Sequence, residues 1–278
     1  MKKLLIITVV ITLAIFSCKK ETEVDATTVQ VIPKSYISKV TFNEIYNNKP
    51  TRDQEINFSY DSKGRLESIA KSYNYYDFNT GNLSNKVQNS IFLSYNSENL
   101  TSEAKMLDKL SNGNDNVNID KFIYDKDKVV EIRPYFIENG VEKPHTLGIN
   151  TFKYNTKGQL TSILVADEVR TTYIYTNDVH TSTISYSTTN NISFQETALT
   201  PISNFPNAQK IIISRILEGY TEFGYGLTSN FFPKKTVNGN TIWEYEIIID
   251  KQNFPTKVIR KNSVYNVTQT MNFEYKTF

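Results

Sequence analysis

The sequence predicts a mainly β fold. Repeated antiparallel hairpins form a meander that curls into a large, soluble, barrel-like sheet, with one short helical insertion near residues 207–218. Three observations predict it. A phrase of strand, acid- or amide-led turn and strand recurs down most of the 278 residues. The composition favours sheet, with 18 Tyr and 16 Phe against only 10 Gly and 8 Pro. The one break in the pattern, residues 188–240, holds apolar residues at helical spacing between turn-rich flanks.

The phrase is clearest at residues 56–69, INFSYDSKGRLESI. Ile56, Phe58 and Tyr60 fall on one face of a strand, and Asn57 and Ser59 on the other. Asp61-Ser62-Lys63-Gly64 then fits a four-residue turn. The first side chain accepts a bond from the backbone two residues on, and the last position favours a residue without a Cβ. Leu66 and Ile69 lead the returning strand; being three apart, they share a face only if a bulge intervenes.

The copies align by their tyrosines. Tyr60, Tyr95, Tyr124, Tyr154 and Tyr175 are separated by 35, 29, 30 and 21 residues, so the unit is a hairpin plus a loop of variable length. Asn155-Thr156-Lys157-Gly158 repeats the turn in full, Asn96 leads to Leu100 without the glycine, and the Tyr175 copy is weaker. Asp250 leads to Phe254 and Val258, and Phe273-Glu274-Tyr275 is a half copy.

The amino terminus reads as a processing segment. Lys2 and Lys3 precede an apolar region of 13 residues, Leu4 to Phe16, too short to span a bilayer core of about 30 Å comfortably. Ile15-Phe16-Ser17-Cys18 resembles a lipobox, with Phe16 bulkier than the strictest pattern. The expected organisation is a signal peptide over 1–17, a flexible tether over 18–34 lipidated at Cys18, and one β-repeat domain over 35–278. That tether reaches about 50 Å at most.

Tyr-Asp-x-x-Gly-Arg-Leu-x-x-Ile at residues 60–69 resembles the YD repeat of RHS-type proteins. With its lipobox, the chain from about residue 36 to 278 is similar to a family of lipoproteins of unknown function from Bacteroidota. The resemblance implies a porin-like β-barrel fold anchored at the outer membrane, facing the periplasm or the cell surface. It implies no activity.

Within the break, Asn207 is placed to cap a helix whose apolar residues are Ala208, Ile211, Ile212 and Ile216, and Gly219 to stop it. The β-branched run Ile211-Ile212-Ile213 equally fits a strand. Such an insertion covers an open edge or plugs a barrel mouth. From Asn240 the strands resume, after an Asn-Gly turn at Asn238-Gly239.

Chemistry is sparse. One cysteine excludes an intrachain disulfide, and 31 Lys+Arg against 29 Asp+Glu gives no electrostatic case for nucleic acid. His145 and His180 lack partners at metal-ligand spacing, and no nucleophile elbow or phosphate loop occurs. Asn112, Asn114, Asn116 and Asp120 alternate like a calcium loop without its central Gly and closing Glu. We therefore expect no cofactor, no metal and no catalysis.

The aromatic clusters remain, with Tyr73, Tyr75, Tyr76 and Trp243 as candidate ligand-binding residues. Phe78, Phe223, Tyr225, Phe231 and Phe232 lie in the same clusters. The leading expectation is capture of a glycan or lipophile. The alternatives are a structural lipoprotein that partners another envelope protein and, third, a polysaccharide hydrolase.

Overall fold

The structure, a computed structural model, describes residues 34–77, 79–109, 115–146, 148–186, 188–216 and 225–278. Cys18, the signal peptide, the tether before Lys34, Phe78, Asn112, Asn114, Gly219 and Phe223 lie outside them. The described strands run in chain order. The first seven are β1 (Ser35–Tyr46), β2 (Lys49–Tyr60), β3 (Leu66–Tyr76), β4 (Leu83–Tyr95), β5 (Thr101–Lys109), β6 (Asp115–Asp125) and β7 (Lys128–Glu138). Then come β8 (Val141–Pro144), β9 (Asn150–Tyr154), β10 (Leu160–Val165), β11 (Glu168–Thr176), β12 (Val179–Ser185) and β13 (Thr188–Leu199). Helix α1 (Asn207–Ile216) precedes β14 (Phe231–Asn238), β15 (Thr241–Ile249), β16 (Pro255–Asn262) and β17 (Val267–Thr277).

Neighbouring strands pair antiparallel, and β17 returns to β1, with Ser35 opposite Thr277 and Tyr46 opposite Val267. β8 and β9 lie end to end beside β7, so the wall is a closed meander of 16 strands. Closure removes the exposed edges that a long meander would otherwise present.

The turn chemistry explains why the hairpins recur. Asp61 Oδ1 accepts the amides of Lys63 and Arg65, both at 2.9 Å. Asn96, Asn155 and Asp250 each accept the amides two and four residues on in the same way. The fourth turn residue is left-handed in all four copies, at φ 73° for Gly64 and 79° for Gly158. In the glycine-less copies Asn99 (φ 61°) and Asn253 (φ 67°) take that place, asparagine being the next most tolerant residue there.

The expected bulge is present and repeats. Tyr60 faces Leu66 while Ser59 faces Ser68, leaving Glu67 as the extra residue. Ser102, Val130, Thr161, Thr181 and Thr256 are the extra residues of the corresponding hairpins. At the seam Tyr275 faces Ile37 and Glu274 faces Lys39, leaving Ser38. The seam is thus a hairpin of the same geometry with its turn missing, assembled from the two ends of the domain.

Alternation sorts the two faces. Gln54, Ile56 and Phe58 are buried in the lumen, whereas Asp53, Glu55 and Asn57 face out. The outer face carries charge ladders such as Lys39–Glu55 at 2.8 Å and Lys235–Glu244 at 3.7 Å. A barrel embedded in lipid needs an apolar outer band; the outer face here interleaves these charged pairs with exposed apolar side chains such as Phe92 and Ile123.

The pattern break is shorter than the expected 188–240. β13 and β14 belong to the wall, and among the described residues it is 200–216 and 225–230 that leave it, turning into the lumen as a plug. The Asn-Gly turn is shifted by one residue: Asn238 pairs with Thr241, leaving Gly239-Asn240 as the loop. Helix α1 buries Ala208, Gln209, Ile211, Ile212 and Ile213, with Arg215 in its last turn near the negative dipole end. Asn207 does a different job from the one expected of it. Its Oδ1 accepts the Val129 amide at 3.1 Å and lies 3.2 Å from the Tyr154 hydroxyl, pinning the plug to the wall.

Candidate functional site

The phrase turns, both ends of the described domain and the plug gather at one end of the barrel. There the repeat tyrosines form a ladder. Each hydroxyl donates to the carbonyl that opens the returning strand of the preceding unit: Tyr60 to Ile37 at 2.6 Å, Tyr95 to Leu66 at 2.6 Å and Tyr124 to Thr101 at 2.7 Å. Tyr154 donates to Val129 at 2.9 Å, Tyr175 to Leu160 at 2.8 Å and Tyr275 to Pro255 at 2.8 Å. Burial pushes these phenols up, to about 12 for Tyr95, Tyr154 and Tyr175. The recurring tyrosine is therefore a structural donor, and the ladder breaks only where the chain leaves for the plug.

Further bonds hold the plug from several sides. Asn204 donates to the Ser35 carbonyl at 2.8 Å, and Gln209 to the Tyr95 hydroxyl at 3.0 Å. Thr228 lies 2.8 Å from His180 Nδ1. His180 is 2% exposed, with its other nitrogen against Ser182 and Thr183 and its ring beside Tyr173 and Tyr175. Burial pulls its pKa down to about 4, against a smaller upward pull from the Ser182 carbonyl. It is a packed, neutral imidazole. His145 stacks edge-on against Phe136, ring centroids 5.9 Å apart.

Toward the opposite end, the lumen between α1 and strands β3–β6 holds a cavity of about 300 Å³. Its floor is apolar, from Ile91, Ala104, Met106 and Ile212. Its polar groups are Lys71, Tyr73, Asn89, Asp108, Asp120 and Arg215. Asp120, 4% exposed, pairs with Arg215 from the plug. Burial lifts the Asp120 pKa, opposed by the guanidinium. Asn89 donates its amide to Asp108, while its Oδ1 is buried without a partner among the described residues. Lys71 sits 5.1 Å from the Tyr73 ring, and Tyr75 meets Tyr73 edge-on at 5.2 Å.

The candidate residues do not all meet there. Tyr73 lines the cavity, and Tyr75 stands beside it, 38% exposed. Tyr76 falls on the outer face, bonded to Asp53, because alternation reverses its direction. Trp243 sits on β15, with four strands between it and β3. Its ring is covered by the Arg260 guanidinium at 4.4 Å. Arg260 donates to Gln269, which donates to Glu44, which pairs with Arg52 at 3.7 Å. That chain of contacts binds β15 to β2 across the seam. Lys71, Asn89, Asp108 and Arg215 carry no motif in the sequence, and Asp120 figures there only in the incomplete calcium-loop alternation; the apolar-in alternation broken by an inward polar side chain is the available signal. Among the described residues no group of three or more His, Cys, Asp or Glu is placed to hold a metal.

No family model and no curated protein matches this chain. Among solved structures, it is similar to a porin-like protein from Bacteroides uniformis, with a TM-score of 0.54, 16% identity, and 86% of this chain and 96% of that one covered. A porin-like protein from Bacteroides vulgatus aligns at a TM-score of 0.39 and 13% identity, covering 87% of this chain and 99% of that one. At 16% identity the first likeness is one of fold.

Proposed function

We propose that this porin-like barrel is a non-catalytic, lipid-anchored protein of the cell envelope that binds a polar ligand of the glycan type in its lumen. The observation that carries the reading is the cavity above α1: one aromatic face, an unpartnered amide oxygen and balanced charges over an apolar floor. Sugars present apolar faces for a ring and hydroxyls for amides and carboxylates. A lipophile fits poorly, because it would strip water from Lys71, Asp108 and Arg215 without replacing the lost bonds.

The cavity also holds two carboxylates, the minimum for glycoside hydrolysis. Asp120 is committed to Arg215 and Asp108 to Asn89, so neither is arranged as a free proton donor. Binding without turnover is the better reading. The envelope location rests on the lipobox at Cys18 and on the fold likeness.

Native mass spectrometry of the mature chain against a glycan library tests this. A retained, uncleaved glycan supports it; no glycan binding at millimolar ligand, or steady appearance of cleaved product, rejects it.

A second reading, docking of another envelope protein, is favoured by an outer-face depression over β3–β5. Small Ala70, Ser72 and Ser90 there adjoin Phe92, 46% exposed. A Phe92→Asp variant that still co-purifies with every native partner would remove that reading.

A further inference from the structure

We propose that the cavity at the plugged end is a second binding site, specific for a phosphate-type oxyanion and built around Lys210 and Lys128. It is distinct from the glycan cavity. Helix α1 presents Asn207 and Lys210 to this one, and Ile212 and Arg215 to the other.

The cavity measures about 400 Å³ and is assembled from pieces far apart in sequence. Lys210 comes from α1, Lys128 from the start of β7, Gly158 and Gln159 from the β9–β10 turn, and Ser229 and Asn230 from the return of the plug. Lys210 is half-buried and, among the described residues, has no carboxylate partner. Burial alone pulls its ammonium below the usual lysine range. An ammonium withdrawn from water without a counter-charge is unfavourable unless something else supplies one.

Lys128 points to the same space. Its ammonium lies 5.4 Å from the Tyr154 ring and rests over Gly158, where a Cβ would collide with Lys128 Nζ. The glycine of this turn therefore serves twice, taking φ 79° and leaving room for a cation. Asp127 is the one carboxylate in the lining, and it is bonded to neither lysine among the described residues. Two cations against one anion give the lining a surplus positive charge. Ammonium groups act on phosphate as point charges, and the Ser229 hydroxyl and Asn230 amide supply neutral donors beside them.

The same chemistry is offered by a free phosphate and by an anionic lipid headgroup. The test uses the chain from residue 18 onward carrying Cys18→Ser, so that no acyl group can insert it into every vesicle, with inorganic phosphate by calorimetry and with phosphatidylglycerol or phosphatidylcholine vesicles by flotation. Saturable phosphate binding is expected, weakened about tenfold or more by Lys210→Met and retained by Lys210→Arg. Flotation with phosphatidylglycerol vesicles alone, competed by free phosphate, identifies the headgroup as the source. Phosphate binding without flotation identifies a soluble anion. Thermal melts guard against misfolding, and removing an unpaired half-buried charge should leave the melting temperature unchanged or raised. Binding unaffected by Lys210→Met in a folded protein, or no binding of phosphate and no flotation, overturns the proposal. Glycan binding, read on Tyr73→Ala, is independent of either outcome.

Discussion

The hydroxyl of Tyr60 donates to the carbonyl of Ile37 at 2.6 Å, across 23 residues of sequence. Ile37 is also the residue that faces Tyr275 at the seam. The bond therefore ties the first complete hairpin to the place where the barrel closes, and five further tyrosines repeat it around the rim.

Tyr60→Phe keeps the ring, which packs on Tyr36 and Phe278, and removes only the donor. The Ile37 carbonyl loses that donor at a buried position, so a loss of about 1–2 kcal/mol is expected in urea unfolding. An unchanged midpoint would show the ladder to be ornamental to stability.

The fourth turn position discriminates between residues by backbone conformation alone. Gly64→Ala, at φ 73° and against the Phe278 ring, is expected to destabilise by about 1 kcal/mol or more. Asn99→Gly, at φ 61°, should be neutral or nearly so, since glycine adopts that conformation without strain. Paired thermal melts check the contrast.

His180 makes stability depend on pH. Above about pH 6.5 neither the folded nor the unfolded state protonates the ring. Between 6.5 and about 4 the unfolded chain takes up the proton and the folded one does not, so stability falls with falling pH and levels off below. The full loss is about 3 kcal/mol. His180→Asn should flatten that slope in a pH series of urea midpoints, even where it lowers the absolute stability.

The ion pair between plug and wall is asymmetric. Asp120 has a side chain only 5% exposed, and that of Arg215 is 41% exposed. Arg215→Met strands a buried carboxylate and is expected to destabilise by about 2–3 kcal/mol. Adding Asp120→Asn should restore much of it, a coupling that a double-mutant cycle measures directly.

Tyr73→Ala should weaken glycan affinity about tenfold or more with little change in melting temperature, whereas Tyr76→Phe should leave affinity unchanged. The two residues are three apart on one strand, and the bond from Tyr76 to Asp53 places it on the outer wall. Titration of both variants with one bound glycan separates them.

Much of this architecture was legible before any coordinates. Asp61, Asn96, Asn155 and Asp250 announce their turns because the bonds that make them span two to four residues. Ile56, Phe58 and Tyr60 announce a one-sided strand because pleating is local. Even the bulge after Tyr60 follows from the spacing of Leu66 and Ile69. The site was far less legible. Lys71, Asn89, Asp108 and Asp120 look like ordinary strand polar residues until the wall closes and turns them inward.

What the sequence by itself determined is the repeating hairpin, its turn chemistry and which side chains share a face, all set by interactions within a few residues. Only the tertiary structure decided that β17 meets β1, that Trp243 stands apart from Tyr73, and that Asn207 binds Val129, 78 residues away, rather than doing the capping job expected of it. It also decided the Ile211-Ile212-Ile213 segment, whose β-branched residues fit strand and helix alike. Inside a closed barrel no sheet edge is left to pair with, so a chain entering the lumen must satisfy its own amides and carbonyls, and it does so as a helix.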